Sequence, residues 1–154
     1  MEASTGPPTP ASGGPSRPAA RSIYDVLGGD AFFRRLVDSF YARIETDPVL
    51  RPLFPPSLEA GKERQFLFLT QFFGGPGRYS ALYGHPRLRA RHLPFPIGQE
   101  ERDRWLGHML AALEGLEPPE PQAEEMRRYF ASTSQFLINR AGGIRVDFPA
   151  APGG

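Results

Sequence analysis

The sequence predicts an all-α protein from three observations. Apolar residues recur at the spacing of one helix face, and in the segment 30–47 these are Phe33, Val37, Phe40, Tyr41 and Ile44. Breaks rich in Gly and Pro, such as "LGGD" and "FGGPG", separate the periodic segments and end helices. No segment shows the alternation of apolar and polar residues that is typical of a half-buried strand.

The helices follow in order from their start and stop signals. A short helix in "SIYDVL" is expected to end at Gly28 and Gly29, and Asp30 is expected to cap the long helix that follows. Pro48 opens a turn that ends at "LFPP", and a further helix is expected from Glu59 to Phe73. Acidic residues in the first turn of "GQEERDRWLGHMLAALEGL" suit a helix N-terminus, and "PQAEEMRRYFASTSQFLINR" is expected to form the last helix.

The stretch "GHPRLRARHLPFPI", residues 84–97, interrupts this helical pattern. It holds three arginines, two histidines and three prolines. Each proline removes an amide donor and restricts the residue before it, so a long helix cannot form here. Ordinary core packing therefore does not account for this segment. It could be held by an anionic ligand or by a metal, or it could be surrounded by solvent alone.

Composition divides the chain into one domain and two tails. Residues 1–21 are rich in Pro, Ser, Gly and Ala and lack large apolar side chains, which predicts a flexible tail. Residues 142–154 have a similar composition and are also expected to be flexible. Residues 22–141 are left as a single domain.

Bulk composition limits the functional classes. The 18 basic and 17 acidic residues give a net charge of +1, which argues against a nucleic-acid binder. No apolar run is long enough to span a bilayer, and the start of the chain lacks the layout of a secretory signal, so we expect a soluble cytoplasmic protein. The absence of cysteine excludes disulfides, a thiol nucleophile and Cys-based zinc sites.

His92 carries the candidate metal chemistry. A lone histidine is more often structural, and a conventional zinc site would use all three histidines of the chain or recruit carboxylates. A haem needs only one protein imidazole, because the porphyrin supplies four ligands to the iron. The two haem carboxylates would then find partners in Arg64, Arg89 and Arg91.

Five stretches, taken in order, resemble the group II truncated haemoglobins, the short two-over-two globins of bacteria and plants. They are "YDVLGG", "FYARIETDPVLRPLFP", "FFGGPGRYS", "GHPRLRARHLPFPI" and "ERDRWL". The resemblance implies a two-over-two helical sandwich around one haem b, with His92 as the proximal iron ligand. It also implies contacts to the haem propionates from Arg64, Tyr79 and Arg91.

The same resemblance directs Tyr41 and Trp105 at the ligand on the iron, and Gln65, on the apolar face of the helix 59–73, would make a third donor to that ligand. The resemblance also packs Phe54 against the porphyrin. Gly61, one turn before Gln65, has no side chain and would leave room for a small molecule to enter. The residues alone leave these assignments open. Tyr41 could bond a backbone carbonyl, Gln65 could reach solvent, and Trp105 could fill the core. A glycine such as Gly61 is also an ordinary helix-start signal.

The chain departs from the common family pattern at four positions. Phe54 stands where a second tyrosine is common, and Phe73 replaces a frequent tryptophan. Gln65 stands where an aliphatic residue is common, and Gly61 where alanine is common. The polar donors are therefore distributed differently among the helices, so ligand affinities of relatives do not transfer to this chain.

Polar donors around the ligand predict tight oxygen binding. Dioxygen on ferrous haem gains negative charge, and each hydrogen bond to it is worth about 1.5–3 kcal/mol. We expect a protein that binds dioxygen, NO and CO, releases oxygen slowly, and supports redox detoxification of NO or peroxide with an unidentified reductase. Whether the chain is an enzyme, and whether it is a monomer or a homodimer, is left open by the sequence.

A second interpretation is a haem-free helical interaction module. In it, His92 and the neighbouring arginines would bind an anionic partner. Absorption spectroscopy separates the two interpretations, because a haem protein has a Soret band that depends on His92.

Overall fold

The computed structural model describes residues 21–141, 144 and 145, and this part of the chain is helical. Its seven α-helices are α1 (Ile23–Leu27), α2 (Asp30–Glu45), α3 (Glu59–Phe72), α4 (Arg78–Tyr83), α5 (Leu88–His92), α6 (Gln99–Gly115) and α7 (Gln122–Phe136). A 3₁₀ turn, Arg51–Leu53, lies between α2 and α3, and Arg140–Ala141 pairs antiparallel with Ile144–Arg145. The predicted all-α class is confirmed.

Most of the two predicted tails, residues 1–20 and 146–154, lies outside the described residues. The predicted domain boundary at residue 141 falls inside the short strand pair. The tails therefore remain predictions from composition.

The core lies between two packed helix pairs. α2 packs against α3, α6 packs against α7, and α2 also contacts α6. The apolar face predicted on α2 is buried, because Phe33, Val37, Phe40 and Ile44 have no exposed surface. Met109, Leu113 and Met126 close the core from α6 and α7. No helix of the described chain is both long and apolar enough to cross a lipid bilayer.

Asp30 begins α2 but does not cap it, so the predicted cap is wrong. The cap position is Gly29, which has no side-chain hydrogen bond to the helix. The Asp30 carboxylate instead accepts hydrogen bonds from the Tyr24 hydroxyl at 2.8 Å and from both terminal nitrogens of Arg78, at 3.1 and 2.8 Å. The guanidinium of Arg78 accordingly lowers the pKa of Asp30. The Asp30 carboxylate therefore pairs with Tyr24 and Arg78 and does not cap α2.

The segment after α3 contains one helix that the sequence did not reveal. α4 is only six residues long, but it buries Tyr79 in a T-shaped contact with Phe68 at 5.6 Å between ring centroids. The proline-rich stretch that follows contains only the five-residue α5, as its prolines predict. His85 acts as a turn residue there, because its Nδ1 accepts from the Arg87 amide at 3.1 Å.

Asp47 fastens the turn after α2 to α6. Its side chain is 1% exposed and accepts from the amides of Val49 at 2.7 Å and Leu50 at 2.9 Å. It also contacts the His108 ring at 2.7 Å and accepts from Arg104 at 3.2 Å. Burial opposes ionisation of Asp47, but these partners outweigh it and hold the pKa of the carboxyl well below its usual range.

We expect Asp47→Asn to destabilise the fold by about 2–3 kcal/mol at pH 7, because charge-assisted hydrogen bonds are lost. A depressed pKa stabilises the folded state above the unfolded-state value of about 3.9, and this contribution is lost as the pH falls below it. The difference in stability between Asp47→Asn and the unmodified protein should therefore shrink below about pH 4. Urea unfolding of both proteins at pH 7 and below pH 4 measures this difference.

Asp38→Asn is the matched control for Asp47→Asn. Asp38 lies on α2, is 55% exposed, and contacts only Lys62 at 3.6 Å among the ion pairs of the described chain. Its replacement should change stability by less than about 0.5 kcal/mol. Equal losses in the two variants would contradict the role given to Asp47.

Candidate functional site

His92 ends α5 with its ring fixed in one tautomer. Its Nδ1 lies 2.7 Å from the backbone carbonyl of Leu88, so this nitrogen carries the proton and donates it. Nε2 then keeps its lone pair. Burial lowers the pKa of His92, although the bond to Leu88 opposes the shift, so the imidazole is neutral at pH 7. A neutral ring held in this way is a ready metal ligand.

No group of three or more His, Asp or Glu side chains in the described chain could hold a metal by itself. His92 therefore suits a metal only where a prosthetic group supplies the remaining ligands, as a porphyrin does.

Tyr41 projects from α2 toward the start of α3. It is 6% exposed, and its ring packs edge-on against Phe40 at 5.3 Å and Phe54 at 5.9 Å. A Cβ added to Gly61 would lie 3.1 Å from the Tyr41 hydroxyl. The space predicted at Gly61 is thus filled by this hydroxyl, and the glycine permits its close approach.

The Tyr41 hydroxyl is a proton donor at neutral pH. Burial raises the pKa of Tyr41 to about 12, and the positive charge of Arg64 offsets only part of this. The hydroxyl has no hydrogen-bond partner within residues 21–139. The predicted alternative, a bond from Tyr41 to a backbone carbonyl, is not formed.

Gln65 lies one turn after Gly61 on α3 and has an unsatisfied buried carbonyl oxygen. Its Oε1 is inaccessible to solvent and has no hydrogen-bond partner in the described chain. The predicted alternative, a side chain that reaches solvent, is therefore wrong for this atom. A buried carbonyl oxygen without a donor costs about 1–3 kcal/mol.

Trp105 lies on α6 beside the same core. Its ring packs edge-on against Phe40 at 5.3 Å and Phe130 at 6.1 Å. The side chain is only partly buried, and its indole N–H has no hydrogen-bond acceptor among the residues described. Trp105 therefore fills the core as predicted for a single tryptophan, and it still has a free donor.

We expect Gln65→Leu to raise the unfolding free energy of the haem-free protein by about 1–2 kcal/mol, because a buried amide without a partner is removed. The same change should speed oxygen release from the haem-loaded protein. Urea unfolding and stopped-flow oxygen dissociation measure the two effects.

Gln71→Leu is the matched control on the same helix. Both polar atoms of the Gln71 amide are paired, because it donates to the Ser80 hydroxyl at 2.7 Å and accepts from the Ser80 amide at 2.9 Å. Its replacement should destabilise the protein by about 1–2 kcal/mol and leave oxygen release unchanged. A loss of stability in Gln65→Leu as well would contradict an unpaired amide.

The predicted propionate contacts divide into two exposed arginines and one buried tyrosine. Arg64 and Arg91 are exposed and have no ion pair with any carboxylate of residues 21–139. Arg91 donates to the Pro86 carbonyl at 2.8 Å, which aligns it along the stretch before α5. Tyr79 is 4% exposed and packs on Phe68 and Tyr83.

The structure brings some of these residues into contact and leaves others apart. Tyr41 contacts Gly61 and Phe54, and Phe40 connects it to Trp105. No hydrogen bond or aromatic contact of the described chain joins this group to His92. A lone imidazole with a free Nε2 and a separate apolar wall with unpaired polar groups are what a haem and its ligand require, so the residues fit such a group.

One supporting residue was missed by sequence reasoning. Asn139 lies beyond α7, is 7% exposed, and hydrogen-bonds to the chain around His92. A buried asparagine after a helix end is a weak signal, since Asn is common in turns.

Comparisons with known proteins agree with a site that fits a haem. Residues 22–139 match the family described as bacterial-like globin. The chain is 48% identical over 96 residues to the group 2 truncated hemoglobin YjbI of Bacillus subtilis (strain 168), which covers 61% of this chain and 72% of that protein.

Two crystal structures show the likeness in three dimensions. The hemoglobin of the thermophilic phototrophic bacterium Chloroflexus aurantiacus is 59% identical with a TM-score of 0.78, covering 79% of this chain and 100% of that one. The truncated oxygen-avid haemoglobin of Bacillus subtilis is 38% identical with a TM-score of 0.74, covering 77% and 100%.

Two packed helix pairs and the His92 imidazole with its free nitrogen are what a small haem globin requires. As a class, such proteins bind diatomic gases at a haem. The chain belongs to the bacterial-like globin family, and its relatives place it among the group 2 truncated haemoglobins. The resemblance found in the sequence is confirmed.

Proposed function

We propose that the chain binds one haem b through His92 and holds dioxygen, NO or CO on the opposite side, with high oxygen affinity and slow release. One observation carries the proposal: beside the apolar core, Gln65 has a buried side-chain oxygen without a partner, and neither the Tyr41 hydroxyl nor the Trp105 indole N–H forms a hydrogen bond within the described chain.

The chain's own residues have separate parts in holding the haem. His92 offers Nε2 because its other nitrogen is committed to Leu88. Phe54 would pack on the porphyrin face, and Arg64, Arg91 and Tyr79 would contact its propionates. When bound, ferrous haem supplies a site for a diatomic ligand and transfers negative charge to it.

The polar side chains opposite His92 would stabilise the negative charge on the ligand without changing position. They are Tyr41, Gln65 and Trp105. Tyr41 stays protonated at neutral pH, so its hydroxyl donates a hydrogen bond and does not repel the ligand. The Trp105 indole is a donor at any pH, and the Gln65 amide can turn its NH₂ toward the ligand. Two such bonds, at about 1.5–3 kcal/mol each, slow release by a factor of a hundred or more.

Slow release suits redox chemistry better than oxygen delivery. We propose that the chain supports the conversion of NO and dioxygen to nitrate, which consumes one electron per turnover from an external reductase. Peroxide turnover is a second reaction that polar donors near an O–O bond would favour. Location in the cytoplasm and assembly as a monomer or homodimer remain predictions from the sequence.

Optical spectroscopy and rapid mixing test the proposal. The purified protein should show a Soret band that shifts on reduction and again on adding CO. The oxygenated form should release oxygen slowly, and NO should convert it rapidly to the ferric form with one equivalent of nitrate. Fast oxygen release would contradict the polar pocket, and oxidation without nitrate would contradict dioxygenation.

The haem-free interaction module is tested by the same preparation. A folded, colourless protein that does not bind added hemin would favour the module. In that case His92 and the arginines near it should bind a polyanion such as heparin, with affinity that falls as salt increases.

A further inference from the structure

We propose that Asn139 is a positioning residue for His92, because it anchors the chain that follows the imidazole to the end of α7. This inference rests on the proposed role of His92 as the iron ligand. It concerns how the fold holds α5 in place, which the motif around His92 does not explain.

Asn139 makes four hydrogen bonds to the loop 92–97. Its Nδ2 donates to the backbone carbonyls of His92 at 3.1 Å and Phe95 at 2.9 Å. Its Oδ1 accepts from the amide of Ile97 at 2.9 Å, and its own amide donates to the Ile97 carbonyl at 2.7 Å. Partners of both kinds fix the orientation of the side-chain amide, which is therefore fully determined.

The segment that carries His92 cannot hold its own position. α5 has five residues, none of them buried, and a helix of that length is not stable alone. Pro94 and Pro96 have no amide proton, so the chain beyond α5 cannot continue the helical hydrogen bonds. The His92 carbonyl, a helix-end acceptor, receives only the Phe95 amide at 3.0 Å from its own loop. Asn139 supplies the support from outside.

A second contact joins α5 to the same end of α7. Arg89 donates to the Phe136 carbonyl at 2.7 Å, and its guanidinium lies 5.0 Å from the centre of the Phe136 ring. Arg89 and Phe136 are exposed, so this contact is weaker than the buried one. The His92 ring is already fixed relative to α5 by Leu88. α5 could still move as a unit, together with the His92 ring, and Asn139 restricts this movement.

Asn139→Ala and Asn139→Asp test the proposal in the haem-loaded protein. Asn139→Asp retains the acceptor for the Ile97 amide but places a carboxylate oxygen against two carbonyls. Resonance Raman spectra should show the iron–histidine stretching band of the ferrous form shifted and broadened in both variants. Haem loss to an apomyoglobin acceptor should accelerate by roughly tenfold or more, because residues that hold a metal ligand in place contribute about 10–100-fold to metal affinity.

Ser134→Ala is the matched control on α7. It removes another buried polar contact, from Arg102 to the Ser134 hydroxyl at 3.1 Å, without touching α5. The iron–histidine band and the rate of haem loss of Ser134→Ala should match those of the unmodified protein. Equal shifts in Ser134→Ala would mean general loosening of α7 and would overturn the proposal, as would unchanged readouts in both Asn139 variants.

Three further outcomes have a defined interpretation. If Asn139→Ala does not fold, Asn139→Asp decides alone, because it preserves the size of the side chain. If His92→Gly keeps the iron–histidine band, the proposed function itself fails and the positioning role falls with it. If His92→Gly loses the band while both Asn139 variants keep it unchanged, only the positioning role fails.

Discussion

His92→Gly is expected to lower the affinity for haem by roughly a hundredfold or more, because loss of a residue that merely orients a metal ligand already costs about 10–100-fold. The Soret band of the purified variant should be displaced or lost. No other histidine can replace the ring, since His85 is committed to the Arg87 amide and His108 to Asp47. Hemin titration of the haem-free protein, followed by absorbance, measures the effect.

Added imidazole should rescue the His92→Gly variant. The cavity left by the side chain should admit free imidazole, which restores the spectrum of the unmodified protein. His85→Ala is the matched control, because His85 lies in the same proline-rich stretch and is exposed. Normal haem affinity in His92→Gly, or an equal loss in His85→Ala, would contradict His92 as the ligand.

Tyr41→Phe and Trp105→Phe are each expected to accelerate oxygen dissociation by about tenfold or more, because each removes a donor to a charged ligand. Neither change should disturb packing strongly, since both keep an aromatic ring against Phe40. Because burial raises the pKa of Tyr41 to about 12, the contribution of its hydroxyl should be constant between about pH 6 and pH 10. Stopped-flow displacement of oxygen by CO measures the rates.

The double variant decides whether the two donors share one ligand. Donors to the same atom should be coupled, so that the combined effect differs from the product of the single effects. Tyr129→Phe is the control, because Tyr129 packs on Phe72 and Phe73 at the far end of α3. Unchanged rates in both single variants would remove the proposed distal role and leave His92 unaffected.

The fold followed closely from the sequence where local signals agreed. The apolar period predicted α2 and its buried face, and the glycines after Phe73 marked the end of α3 within one residue. The prolines around His92 predicted that no long helix forms there. These features depend on neighbouring residues alone, so one sequence is enough to reveal them.

Partners far apart in the chain were not predictable in this way. Asp30 left its expected capping role for Arg78, which lies 48 positions later. The space at Gly61 holds the Tyr41 hydroxyl, and Gln65 keeps a buried amide without a partner. Each outcome depends on how α2, α3 and α4 pack together, and spacing along one helix carries no information about it.

The sequence by itself determined the helical class, the family resemblance and the position of His92 in a stretch that cannot form a long helix. Tertiary structure alone decided what holds that stretch, since Asn139 reaches the His92 carbonyl across 47 positions. The physical reason is that helix periodicity and proline geometry are local properties of the chain. A hydrogen bond between distant residues exists only after packing has brought donor and acceptor together.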